Sequence, residues 1–208
     1  NQGGVVGGAT LIAGANGQTG VTAELPANVS IQIAGGAAPQ TPTTAITDLT
    51  SSIQSLNPAS DREVGALTDF ANSRPDGTTL DVRTITPAIA TDAAPGDPIV
   101  ISGLSDAGAS QEAFVINMTN MPSGTTLQLD NIEFASILGQ ATITGGGGQN
   151  YVVADDNSQF ISLGADDDTL IGGGGADTIA SAGGNDVLYG NQGNDVVSGG
   201  ADNDTLFG

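Results

Sequence analysis

Five aspartates recur at steps of nine residues near the end of the chain: Asp168, Asp177, Asp186, Asp195 and Asp204. They occupy the sixth position of a nine-residue frame that runs from residue 145 to residue 207 without insertion or deletion. If the units of this frame stack, their carboxylates lie above one another and repel unless a cation lies between them. The spacing therefore predicts rows of cation sites.

The rest of each unit indicates how the rows are built. Positions one to six are rich in Gly, Asn and Asp, which favour sharp turns. Positions seven to nine are short β-forming runs, and position eight is aliphatic in all seven units. A three-residue strand cannot bury one apolar side chain alone, so many units must stack in parallel with their turns outside. Carboxylate and carbonyl oxygens in such flexible loops favour calcium over magnesium.

These units resemble those of the RTX family, whose calcium-binding nonapeptide follows the pattern GGxGxDxUx. The resemblance covers residues 145–207 and implies a right-handed parallel β-roll with two units per turn. It implies calcium between loops two units apart, with Asp168, Asp186 and Asp204 on one edge and Asp177 and Asp195 on the other. The neighbouring pairs 168/186, 186/204 and 177/195 predict about three or more ions.

The same resemblance implies backbone carbonyl ligands from early positions of the loops. These are Gly172, Gly174, Gly190, Gln192, Gly199 and Ala201. The first two units depart from the pattern, because Asn150 and Gln159 stand where Asp is expected. The sites that these two residues would share stay open, with Asp155 and Asp156 as alternative ligands.

Composition excludes several classes of function. The chain of 208 residues has 23 Asp and Glu, three Arg and no Lys, with a formal net charge of −20, so a nucleic-acid partner is excluded. Without His, Cys or Lys, the chain cannot hold Ser-His-Asp, Cys-His or Schiff-base catalysts, and we expect no enzyme activity in it. No apolar run is long enough for membrane insertion.

Two other solenoids compete with the calcium interpretation. A metal-free solenoid would leave the in-frame Asp residues to repel one another. An ice-binding solenoid needs flat rows of Thr, and Val187 and Val196 interrupt the Thr residues at position seven. Both alternatives are weaker than a calcium-binding roll.

The elements before the repeat are less regular. We expect a mainly β fold with four regions: a β-rich segment and linker at 1–43, a helical hairpin at 44–76, a β-rich region at 77–140, and the calcium-binding β-roll at 141–208. Ser60 and Glu63 have the spacing of a capping box for the second helix. The acidic residues of the third region have no repeated spacing, which predicts ordinary solvated positions.

The sequence supports two functional hypotheses. The first is an extracellular structural or interaction protein of a bacterial cell surface, such as a surface layer, adhesin or matrix filament. The RTX resemblance implies type I secretion, and the acidic chain would fold on meeting calcium outside the cell. Self-association into an array or filament is expected through the open end of the roll. The alternative is the secretion and folding part of an exoenzyme whose catalytic domain lies outside this chain.

Overall fold

The computed structural model describes residues 5–11, 20–35, 38–90, 96–104 and 110–208. The strands are β1 (Val5–Thr10), β2 (Thr22–Pro26), β3 (Val29–Ala34), β4 (Thr79–Ile89), β5 (Ile99–Ser102), β6 (Ser110–Asn117), β7 (Thr126–Asp130), β8 (Phe134–Leu138), β9 (Thr142–Gly145), β10 (Tyr151–Ala154), β11 (Phe160–Ser162), β12 (Thr169–Gly173), β13 (Thr178–Ala180), β14 (Val187–Asn191), β15 (Val196–Ser198) and β16 (Thr205–Phe207). The helices are α1 (Pro42–Leu56) and α2 (Asp61–Asn72). The expected β-rich segment at 1–43 is described only in part, because residues 1–4, 12–19, 36 and 37 lie outside the described ones.

Two eight-stranded sheets face each other across one core. Sheet 1 has the order β1-β2-β5-β7-β9-β11-β13-β15, and sheet 2 has the order β16-β14-β12-β10-β8-β6-β4-β3. From β4 onward the chain alternates between the sheets. From β6 onward every new strand pairs in parallel with the one two strands earlier. This is the β-solenoid of a parallel β-roll, as the repeat predicts. The parallel pairing in both sheets crosses the expected start of the β-roll at residue 141 without a break. The roll therefore also includes most of the region at 77–140.

The strand register places one aliphatic side chain per repeat unit in the core. In sheet 2, Val152 lies beside Leu170, and Leu170 beside Leu188. In sheet 1, Ile161 lies beside Ile179. All five side chains are buried. They are the position-eight residues of the frame, which explains why a strand of three residues persists in a stack.

The helical hairpin is present and covers the outer face of the early strands of sheet 2. Leu49, Ile53, Leu67 and Phe70 are buried against a second apolar cluster on that face. The strand side of this cluster comes from β4, β6, β8 and β10: Leu80, Val82, Ala113, Val115, Phe134, Leu138 and Val153. Neither helix in the described part of the chain is long and apolar enough to cross a membrane.

Two local predictions were wrong. Ser60 stands at the N-cap of α2 but makes no capping hydrogen bond, because its backbone (φ −94°, ψ 30°) is not extended as a side-chain cap requires. Glu63 instead accepts hydrogen bonds from Asn57 and Arg62. The expectation of solvated acidic residues at 77–140 fails for Asp81, which is buried. Asp92 and Asp106, two others of that group, lie outside the described residues.

Candidate calcium sites

The five in-frame aspartates form two rows, one on each edge of the roll. Row 1 consists of Asp168, Asp186 and Asp204, which directly precede strands β12, β14 and β16 of sheet 2. Row 2 consists of Asp177 and Asp195, which directly precede β13 and β15 of sheet 1. The fold thus brings together the neighbours that the RTX resemblance paired.

Within each row, one carboxylate oxygen binds the backbone of the previous turn. The N–H of Asp168 donates to Oδ1 of Asp186 at 2.8 Å, and the N–H of Asp186 donates to Oδ1 of Asp204 at 3.1 Å. In row 2 the N–H of Asp177 donates to Oδ1 of Asp195 at 2.9 Å. These bonds fix each side chain, so the second oxygen, Oδ2, has a defined position.

The second oxygens are the feature that points to a cation. Oδ2 of Asp177, Asp186 and Asp195 is buried in each case and has no hydrogen-bond partner among the described residues. A buried charged oxygen without a partner is costly, and proteins normally avoid it. A calcium ion bound to these oxygens would remove that cost, because calcium takes carboxylate ligands in flexible loops.

The loop backbone leaves neutral oxygens in the same turns. The N–H of Gly174 donates to the carbonyl of Asp155 at 3.2 Å, and the N–H of Gln192 donates to that of Gly173 at 3.0 Å. Each bond joins position three of one loop to position two of the previous loop on that edge. In the described part of the chain, the carbonyls of Gly174 and Gln192 themselves accept no hydrogen bond. Both were predicted to be calcium ligands.

Glycine at position one leaves room for the free carboxylate oxygens. A Cβ on Gly172 would lie 2.8 Å from Oδ2 of Asp177, and one on Gly190 would lie 2.7 Å from Oδ2 of Asp195. At Gly199 a Cβ would collide with Oδ2 of Asp204. A side chain at Gly172, Gly190 or Gly199 would therefore displace the carboxylate of its own unit, whereas position one is Leu163 in the unit of Asp168 and Ser181 in that of Asp186. The predicted ligands Gln192 and Ala201 at position three are exposed residues.

Burial makes the charged form of the rows unfavourable without a cation. Desolvation raises the pKa of Asp168 to about 7, and the neighbouring Asp186 charge adds to the rise. Desolvation also raises the pKa of Asp177 to about 6, with a further contribution from Asp195. At neutral pH the rows thus need a compensating positive charge, which a divalent ion supplies.

The two departures from the repeat pattern differ in what they leave free. Asn150 donates from Nδ2 to the carbonyl of Ile132 at 2.9 Å, while its Oδ1 is buried without a partner. At Gln159, Oε1 accepts the N–H of Ala141 at 3.1 Å, and Nε2 donates to the carbonyl of Gly139 at 3.0 Å. Row 1 can therefore extend to Asn150, whereas the Gln159 side chain has no free oxygen for an ion.

The alternative ligands Asp155 and Asp156 are engaged elsewhere. Asp155 is buried and accepts the N–H of Gly139 at 2.7 Å. Asp156 is paired with Arg62 of α2, whose Nη2 lies 2.9 Å from Oδ1. Arg62 also donates to the carbonyl of Ala154 at 3.3 Å. Ala154 is position one of the unit in which Gln159 replaces Asp. The guanidinium of Arg62 therefore lies on the row 2 edge of the roll at that turn.

Spacing alone did not reveal Arg62 as a partner of this edge, because it is 92 residues from Ala154 in sequence. Among the described residues, no three acidic side chains converge closely enough to hold a metal by themselves. An ion in either row must therefore take many of its ligands from backbone carbonyls and water. The donor set is all oxygen, which suits calcium.

Comparison with known proteins adds one finding. A model of the RTX calcium-binding nonapeptide repeat matches residues 153–188 and 181–208, with four copies. No curated protein and no solved structure is significantly similar to the chain. The matched residues contain all five aspartates of rows 1 and 2, and they exclude the loop at 145–150 and every strand before β10.

Proposed function

We propose that the chain is a secreted structural or interaction protein of a bacterial cell surface that folds on binding calcium, because residues 153–208 match the RTX calcium-binding nonapeptide repeat. The observation that carries the proposal is the set of free Oδ2 atoms on Asp177, Asp186 and Asp195. These oxygens lie in pre-positioned rows that stay energetically unfavourable until a cation arrives.

Calcium concentration would then decide where the roll folds. Extracellular calcium modules bind with dissociation constants on the order of 10⁻⁴–10⁻³ M, far above cytosolic calcium levels. With a net charge of −20, the chain repels itself when calcium is scarce. Binding free energy becomes folding free energy, so secretion would couple directly to folding.

Three matched pairs predict three ions, and the free Oδ1 of Asn150 offers a fourth position on row 1 beside Asp168. Gln159 offers none, so we propose that row 2 holds one ion and row 1 holds two or three. Arg62 would take the place of an ion in the first turn of row 2.

A surface role is favoured over catalysis by what the chain contains. It has no His, Cys or Lys, so acyl-transfer triads and Schiff-base chemistry are not available to it. Self-association into an array is part of this proposal. Service as the calcium-folding part of a larger exoenzyme is the competing proposal, and the sequence of the parent gene distinguishes the two.

Circular dichroism tests the calcium requirement. The chain in chelator should show reduced β signal, and addition of millimolar calcium should restore it, whereas equimolar magnesium should restore much less. A spectrum that is unchanged between chelator and calcium would sink the proposal.

A further inference from the structure

Row 1 continues beyond the recognised repeats into the earlier strands of sheet 2. The register pairs Val82 with Ala113, Ala113 with Phe134, and Phe134 with Tyr151, and so on to Thr169. The residue before each of these positions lies in row 1. In chain order, that row reads Asp81, Glu112, Glu133, Asn150, Asp168, Asp186 and Asp204. Six of its seven members are acidic.

Glu112 and Glu133 repeat the hydrogen bond of the aspartate pairs. The N–H of Glu112 donates to Oε2 of Glu133 at 2.8 Å. The N–H of Asp168 donates to Oδ1 of Asp186 at the same distance. The backbone arrangement agrees as well, since the carbonyl of Glu133 accepts the N–H of Tyr151 at 3.0 Å, as the carbonyl of Asp168 accepts that of Val187 at 2.9 Å.

Glu112 carries free carboxylate oxygens inside the protein. The residue is 1% exposed, and neither Oε1 nor Oε2 has a hydrogen-bond partner among the described residues. Its neighbour along the row is another carboxylate. A buried carboxylate beside a half-buried one needs either a shared proton or a bridging cation.

No basic side chain in the described residues supplies that charge. The two salt bridges there both belong to Arg62. Arg83 donates to the carbonyl of Val82. Arg74 lines the same cleft as Glu133, but it lies over the ring of Phe70 at 4.6 Å, donates to Ser73 and forms no salt bridge with either glutamate.

Solvent reaches Glu133 of this pair through a cleft of about 330 Å³ that Glu133 and Gln111 line together. Oε1 of Gln111 is a further buried oxygen without a partner. An ion entering there would find carboxylate oxygens, a neutral amide oxygen and water, which is the ligand mixture that calcium accepts.

From this geometry we infer a divalent-cation site at Glu112 and Glu133, upstream of the nonapeptide repeats and on the same row as their aspartates. It is independent of the repeat motif, since its ligands are glutamates 21 residues apart. Through this site the early turns of the roll would bind the same ion from solution as the late turns.

Counting bound ions on the full chain tests the inference. Calcium is added as its chloride, and bound calcium per chain is measured by equilibrium dialysis with elemental analysis, for wild type, Glu112→Gln and Glu63→Gln. Glu63 is the matched control: it is a buried glutamate with one free oxygen, but Arg62 already neutralises it. Glu112→Gln should bind one ion fewer than wild type, and Glu63→Gln should bind the wild-type number.

An unchanged ion count in a folded Glu112→Gln variant would overturn the inference and leave a shared proton as the explanation. A shared proton is the competing explanation because burial and the neighbouring Glu133 raise the pKa of Glu112 to about 9. Glu133→Gln, at a half-buried residue, replaces the first variant if that one does not fold. Failure of the repeats themselves is distinguishable, because wild type would then bind at most one ion and Asp186→Asn would not change the count.

Discussion

The roll has two parts that differ in how they are stabilised. The covered part, residues 79–154, contributes strands to the central core and also packs its outer face under α1 and α2. The open part, residues 155–208, contributes little to the core beyond one aliphatic residue per unit. Among the described residues its contacts with the helical hairpin are confined to its start, through Ile171 and the Arg62–Asp156 pair. Phe70, Phe134 and Tyr151 form an aromatic cluster under the hairpin, with ring centroids 5.1 to 5.8 Å apart.

The difference teaches where a cation is needed. Apolar burial contributes roughly 25 cal/mol per Å². The covered part has two apolar layers to draw on, and the open part has one narrow ladder with two rows of carboxylates beside it. The last members of that ladder are the least buried, since Leu206 is 47% exposed. We therefore expect calcium to control the open part far more than the covered part.

The largest effect should come from Asp186→Asn. Asp186 lies between Asp168 and Asp204 and is shared by two predicted sites, so its loss should raise the calcium concentration needed to order the open part by about tenfold or more, or about 1.4 kcal/mol. Hydrogen exchange at increasing calcium gives the midpoint for each part. Protection of the covered part should stay close to that of wild type.

Two further variants calibrate that result. Asp177→Asn touches one predicted site and should shift the midpoint less than Asp186→Asn. Asp202→Asn removes the same charge from an exposed loop residue outside both rows, and it should shift the midpoint least. Equal shifts for Asp177 and Asp186 would contradict the pairing. Loss of protection throughout the covered part would contradict the division into two parts.

The fold and the aspartate rows of the open part could be predicted because the sequence there is periodic. The units have equal length and no insertions, so the aliphatic positions and the in-frame aspartates follow from counting. Which Asp residues become neighbours follows from the two units per turn that the RTX resemblance implies.

The row residues of the covered part could not be predicted in that way. The row residues Glu112, Glu133 and Asn150 are separated by 21 and then 17 positions, because the loops between the strands differ in length. No fixed period reveals that they share a row. The antiparallel strands β1 and β3 at the sheet edges, and the contact of Arg62 with Ala154, depend on tertiary packing that propensities do not encode.

A smaller and more local effect is expected from Gly190→Ala. The new Cβ would lie 2.7 Å from Oδ2 of Asp195, so it should push the carboxylate out of row 2 and raise the calcium midpoint a few-fold. Gly183→Ala is the matched control, because its Cβ would have no neighbour closer than 3.8 Å. Calcium titration followed by circular dichroism compares the two. Equal midpoints would show that the space at position one does not serve the carboxylate.

The smallest expected effect is the pH dependence of stability, which distinguishes protons from calcium as the charge that compensates the buried carboxylates. Asp168 and Asp177 have pKa values of about 7 and about 6 in the fold, above the usual value of about 4 for an unfolded chain. A carboxyl whose pKa is raised by folding favours the folded state at low pH, and this contribution is lost as pH rises through the folded pKa. In chelator, the open part should therefore be more stable near pH 4 than at pH 8, with the loss concentrated between about pH 4 and 7. In saturating calcium the dependence should reverse, since protons then compete with the ion for the same oxygens. Thermal unfolding followed by hydrogen exchange in the open part measures both series, and a chelated roll that becomes more stable from pH 4 to pH 8 would contradict the burial of uncompensated carboxylates in rows 1 and 2.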